Sequence, residues 1–127
     1  MTSVEIPFSI AAALPSLAVV DVTNEVGRAV AAAPYGDGIA YVSSGESSLV
    51  RIAERESGLF HDLECFLERL VPKGASERER MLAFLLGPRT EQIPFSDGDL
   101  CLGRYQRILV FSFDESCRAD WTLTLLG

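Results

Sequence analysis

The stretch EQIPFSDGDLCLGRYQRILVFSFD, residues 91–114, decides the fold class. EQIPF reads as a strand that runs into SDGD, and the Asp97-Gly98 pair suits a tight hairpin turn, where both central residues need positive φ. LCLG and RILVFSFD follow as further strands, and DWTLTLL adds another before the C-terminus. An unbroken strand half of this kind leaves no room for alternating βαβ units. It predicts an α+β fold with a largely antiparallel or mixed sheet rather than a doubly wound parallel one.

Working back towards the N-terminus, the helical signals come in three places. SERERMLAFLLGP (residues 76–88) opens on a capping-box pattern of Ser76 and Glu79 and closes on Gly87 and Pro88. SGLFHDLECFLERLV (residues 57–71) is the clearest helix. Leu59, Leu63, Phe66, Leu67 and Leu70 form one apolar stripe, which Pro72 and Gly74 stop. Val26, Val30 and Ala33 recur at helical spacing between Thr23, which reads as the N-cap, and Pro34. GIAYVSS and SLVRIA are strands on either side of the polar turn SSGESS. LAVVDV is a β-branched strand, and Val4 to Ile10 is a strand that Pro7 confines to an edge.

The totals suit one domain, residues 1–127, with a real core: 127 residues, 48% hydrophobic, mean hydropathy +0.21. A net charge of −7 and a pI near 4.6 lack the electrostatic footprint of a nucleic-acid binder or of an anionic-membrane binder. Cys65, Cys101 and Cys117 are odd in number and show no C-x-x-C spacing. They read as free thiols of a cytoplasmic protein rather than a disulfide framework or zinc cluster. The apolar run IPFSIAAALPSLAVV has no Lys or Arg before it, follows Glu5 and contains two prolines. It reads neither as a signal peptide nor as a membrane span, which needs about 20 apolar residues. No G-x-G-x-x-G or P-loop is present.

Several pieces in order, namely VVDVTNEV, IAE, LFHDLECFLERLVP, LLGP, IPFSDGDLCLGRYQRILVFSFD and a terminal TLLG, resemble the YjbQ-like family from about Val19 to Gly127. Its members are often labelled secondary thiamine-phosphate synthase. The resemblance implies sheets packed as a sandwich with two or three helices, and a homotrimer. The family's hallmark is a set of histidines, one in an HTTA-like turn and others in an NAxAH-like loop. In this chain they fall at about Gly45 and Arg80. Glu54 matches the acidic residue of the family's NE pair, with Ala53 in place of the asparagine. Asp62 matches an aspartate of the long helix. Gln106 matches the glutamine of LGTWQ, with Arg104 and Tyr105 altered.

Each candidate carries a structural reading beside the functional one. Glu54 and Asp62 are the catalytic candidates, because a carboxylate in a partly dry pocket can work as a general acid or base. Glu54 is otherwise a strand-end carboxylate paired with Arg51 or Arg55, and Asp62 a boundary carboxylate with a structural hydrogen bond. Ser43, Ser44, Ser47 and Ser48 surround Gly45 with hydroxyls that could nest a phosphate. Glu46 opposes an anion there, and a plain turn is the better reading. Arg104, Tyr105 and Gln106 form the best ligand-binding group, since Arg grips a carboxylate or phosphate with two parallel bonds. An inter-strand or subunit contact is the other reading. His61 points away from the stripe and reads as a surface side chain; Cys65 reads as inert.

The expected function is a non-catalytic, trimeric structural or small-ligand-binding module whose active site has decayed, with Ser47, Arg104 and Gln106 as ligand contacts. The alternative is an enzyme with altered transferase or hydrolase activity on a phosphorylated small molecule, of the thiamine-phosphate synthase type. One histidine and three scattered cysteines predict no bound transition metal, and no cofactor is expected. The expected partners are further copies of the chain and an anionic small molecule, with no nucleic acid and no membrane.

Overall fold

The computed structural model describes residues 3–11, 18–45, 48–72, 74–86, 90–113 and 118–127. Among these, the strands β1 (Ser3–Ala11) and β2 (Ala18–Asp21) lead into helix α1 (Thr23–Ala31). The strands β3 (Gly38–Ser44) and β4 (Ser48–Glu54) precede the helices α2 (Ser57–Leu70) and α3 (Arg78–Leu86). Four strands close the chain: β5 (Thr90–Ser96), β6 (Asp99–Leu100), β7 (Gln106–Ser112) and β8 (Arg118–Leu126).

The strands form two sheets, one in the order β1-β8-β3-β5-β6 and one in the order β2-β7-β4, and the pairings described are antiparallel. The architecture is α+β, as the strand-rich C-terminal half predicts. Asp97 (φ 52°) and Gly98 (φ 78°) make the tight β5–β6 turn that their identities call for. Among the described residues, β1, with its Pro7, pairs with β8 alone and lies at the sheet edge.

The three-stranded sheet is the middle of the molecule. Val20, Val50, Ile52, Ile108 and Val110 pack with Val26 and Val30 of α1 and with Ala40, Val42, Ile93, Phe95, Trp121, Leu123 and Leu125 of the larger sheet. The neighbouring positions Val19, Leu49, Ala53, Leu109 and Phe111 form a second cluster with Leu63 and Leu67 of α2 and Leu82 of α3. β7 is therefore covered on both faces, and Ile108–Ser112 is buried without a break. The unalternated run ILVF is what a strand buried on both faces requires.

Three local expectations need correction. Only Leu63 and Leu67 of the α2 stripe turn inward; Leu59, Phe66 and Leu70 are exposed. The stripe is wider than the surface that β4 and β7 offer it. Thr23 does not cap α1. It is the first helical residue, and the N-cap position is Val22 without a side-chain bond. Ser76 is not the cap of α3, because Glu77 has φ 61° and a residue following an N-cap must be helical. The helix starts at Arg78, whose Nε donates to the Val71 carbonyl at 2.8 Å. Surplus apolar surface lies on α2 and on Met81, Phe84 and Leu85 of α3. Among the described residues, no helix is long and apolar enough to cross a membrane.

Candidate functional site

The register of β4 on β7 decides which polar candidates meet. Glu54 lies opposite Gln106, and Ser48 lies opposite Ser112. These pairs are six residues apart, about 20 Å along a strand. Glu54, Arg104 and Gln106 thus belong to one end of the three-stranded sheet, and the Gly45 turn belongs to the other.

At the Gly45 end the hydroxyls serve the turn itself. The turn does not close a hairpin: β3 and β4 lie in different sheets, and the chain crosses between them here. Gly45 N–H donates to the Asp120 carbonyl at 2.9 Å. The Ser44 hydroxyl donates to the Ser48 carbonyl at 2.9 Å, and the Ser48 hydroxyl to the Gly45 carbonyl at 3.3 Å. The Ser43 and Thr90 hydroxyls are 3.0 Å apart. Ser47 and Glu46 lie outside the described residues.

The other end is built around Asp21. The strand β2 delivers this carboxylate to the start of α1, where Oδ1 accepts from the Thr23 N–H at 3.0 Å and the Thr23 hydroxyl at 2.7 Å. The Thr23 hydroxyl oxygen in turn accepts from Ile108 N–H at 2.8 Å, tying the helix entry to β7. Asp21 Oδ2 accepts from Arg107 Nε at 2.7 Å, and Arg107 Nη2 donates to Asn24 Oδ1 at 3.4 Å. Burial pulls the Asp21 carboxyl upward. The hydrogen bonds from Arg107 and Thr23, with the guanidinium charge, outweigh it and hold its pKa below the ordinary 3.8.

Beside this junction is an open cleft of about 670 Å³. Thr23, Asn24, Gly27 and Arg28 form its α1 side. Asp99, Leu100 and Leu102 form another wall, and Gly103, Arg104, Gln106 and Arg107 complete it. The β6–β7 loop is pinned by Gln106, whose Oε1 accepts from Gly103 N–H at 2.6 Å. The Arg104 guanidinium lies 5.4 Å from the centroid of the Tyr105 ring, a cation–π contact. Arg28 pairs with Glu25 at 3.6 Å. Arg107 engages Asp21 with Nε and Asn24 with Nη2, so its plane is fixed while further N–H donors remain. Such a lining can hold an anion.

The remaining candidates stand apart from the cleft lining. Glu54 is exposed and, among the described residues, pairs with neither Arg51 nor Arg55; Arg51 donates to the Val50 and Leu86 carbonyls instead. Asp62 is exposed on α2 and makes no hydrogen bond among the described residues. His61 is exposed, with Nε2 3.9 Å from Sγ of the exposed Cys65. Arg80 pairs with Glu77 at 3.1 Å on the outer side of α3. Among the described residues, no three His, Cys, Asp or Glu side chains stand together as a metal-holding group. Of the residues lining this cleft, sequence reasoning had named Arg104 and Gln106 but not Asn24, Arg28 or Arg107, nor Asp21 beside it. The signal available was a carboxylate and a hydroxyl, Asp-Val-Thr, at a strand-to-helix junction.

Comparison with known proteins follows the same lines. The family described as "UPF0047 protein YjbQ-like" matches residues 13–127. A UPF0047 protein of Archaeoglobus fulgidus is 35% identical over 105 residues, which span 76% of this chain and 81% of that protein. A YbjQ-like protein of unknown function from Sulfolobus solfataricus P2 superposes with a TM-score of 0.86 at 20% identity, over 99% of this chain and 98% of that one. A hypothetical protein from Aeropyrum pernix K1 gives 0.83 at 25% identity, over 100% and 99%. The protein is thus a member of the UPF0047, or YjbQ-like, family.

Proposed function

We propose that this chain, a single YjbQ-like domain of residues 1–127, is a non-catalytic cytoplasmic homotrimer that binds a small organic anion in the cleft between α1, β6 and β7. The observation that carries the reading is the convergence of Arg28, Arg104 and Arg107 on one cleft in a chain of net charge −7. Gln106 and Asn24 hold the loop and the Arg107 plane in place, so the donors are arranged before a ligand arrives. The self-association reading draws support from the exposed Leu59, Phe66 and Leu70 of α2 and Met81, Phe84 and Leu85 of α3.

The absence of catalysis is argued from chemistry. Gly45 cannot transfer a proton, and the Arg80 guanidinium stays charged and is no base near neutral pH. Glu54 and Asp62 are solvated carboxylates with no nucleophile beside them among the described residues. A strain lacking its thiamine-phosphate synthase should not be rescued by this protein, even when it is overproduced. Rescue that vanishes in Glu54→Gln or Asp62→Asn would overturn the reading in favour of an enzyme acting on a phosphorylated small molecule. Light scattering should give a trimer mass, and a monomer mass at every concentration would contradict the assembly.

A further inference from the structure

Resting on the anion-cleft reading, we infer that the cleft selects a monoanionic carboxylate attached to an apolar body, in preference to phosphate esters. Of the three guanidiniums, Arg107 is paired with Asp21 and Arg28 with Glu25. Arg104 meets the Tyr105 ring and, among the described residues, no carboxylate. Arg104 is therefore the guanidinium of the lining that, among the described residues, has no carboxylate partner, and with the carboxylate of Asp99 on the same lining the cleft holds no surplus of positive charge for a dianion.

A phosphate monoester carries about 1.5 to 2 negative charges at neutral pH. One of these has a cation to meet; the rest faces Asp99. A carboxylate carries a single charge, and its two oxygens match the planar fork of an arginine. Arg107 suits this role because its contacts to Asp21 and Asn24 fix the plane of the fork. Arg104, stacked on an exposed tyrosine, supplies the charge. The volume of about 670 Å³ far exceeds a carboxylate group, so the ligand has a body as well as a head. Leu100 and Leu102, half-buried against the main core, give that body an apolar wall.

The test uses benzoate and phenyl phosphate, which share a body and differ in the head. Both are titrated into the full-length protein at one ionic strength, by calorimetry or NMR. Benzoate binds more tightly, by about 3-fold or more. Asp99→Asn, a change at an exposed hairpin position, strengthens phenyl phosphate by about 3- to 10-fold, as one nearby surface charge should, and narrows the preference. Arg104→Ala weakens benzoate several-fold. Equal affinities, or tighter binding of phenyl phosphate to the unaltered protein, overturn the ligand class and leave the cleft reading standing. Failure of both probes to bind in the millimolar range removes the two together. An Asp99→Asn variant that binds phenyl phosphate no better than the unaltered protein refutes the role given to Asp99.

Discussion

The two ends of the three-stranded sheet are both polar, yet the described residues use their polar groups differently at each. At the Gly45 end, the Ser44 and Ser48 hydroxyls bond to backbone carbonyls within the same turn. At the Gln106 end, Asp21, itself held by Thr23, and Asn24 fix the plane of the Arg107 guanidinium, which lines a cleft with donors left over. A count of polar residues would rank the serine-rich turn first. What distinguishes a ligand site is donors that remain available after the fold has satisfied itself.

That contrast sets the order of expected effects. The largest belongs to Asp21→Ala, which leaves the Arg107 guanidinium and the Thr23 hydroxyl without their acceptor. Urea unfolding should show a loss of about 1.5–3 kcal/mol, the range for hydrogen bonds to a charged group. The same carboxylate makes stability depend on pH. Its folded pKa lies below the unfolded value, so its contribution is complete above about 3.8 and disappears as pH falls through the folded value. The acid limb of the stability curve should be shallower in Asp21→Asn below pH ~4, and an unchanged limb would show that Asp21 is not the group responsible.

Gln106→Ala comes next. It removes the bond that pins Gly103, at a solvent-exposed position, and should cost about 0.5–1.5 kcal/mol while weakening anion binding several-fold. Binding unaffected by this change would mean that the loop needs no pin. The smallest effect is expected at the other end. A Cβ at residue 45 would meet Asp120 at 3.6 Å, an ordinary contact, so Gly45→His should alter stability by no more than about 0.5 kcal/mol. It should confer neither metal binding nor thiamine-phosphate synthase activity. Rescue of a deficient strain by this one change would mean that the rest of an active site is intact.

The fold was largely legible in the sequence because its strongest signals are local. Asp97-Gly98 dictates its turn, Pro7 its edge, and the unbroken ILVF of β7 its burial on both faces. The α2 stripe misled because periodicity reports a face without saying how much partner surface waits for it; Leu59, Phe66 and Leu70 remain outside. The site was half legible. Arg104 and Gln106 stand together in the chain, but Asp21 and Arg107 are 86 residues apart and meet only through the pairing of β2 with β7. Glu54 and Asp62 were candidates as carboxylates at positions the family resemblance matches, and both are exposed, with no hydrogen-bond or ion-pair partner among the described residues.

The central claim is that an anion binds at the α1–β6–β7 end and not at the Gly45 turn. Amide NMR of uniformly labelled protein during a benzoate titration tests it directly. The account predicts saturable shifts confined to Thr23–Ala31 and Gly98–Arg107, reduced in Arg104→Ala, with Ser43–Leu49 unmoved. Shifts centred on Gly45 and Ser48, or none anywhere up to tens of millimolar probe, would contradict it.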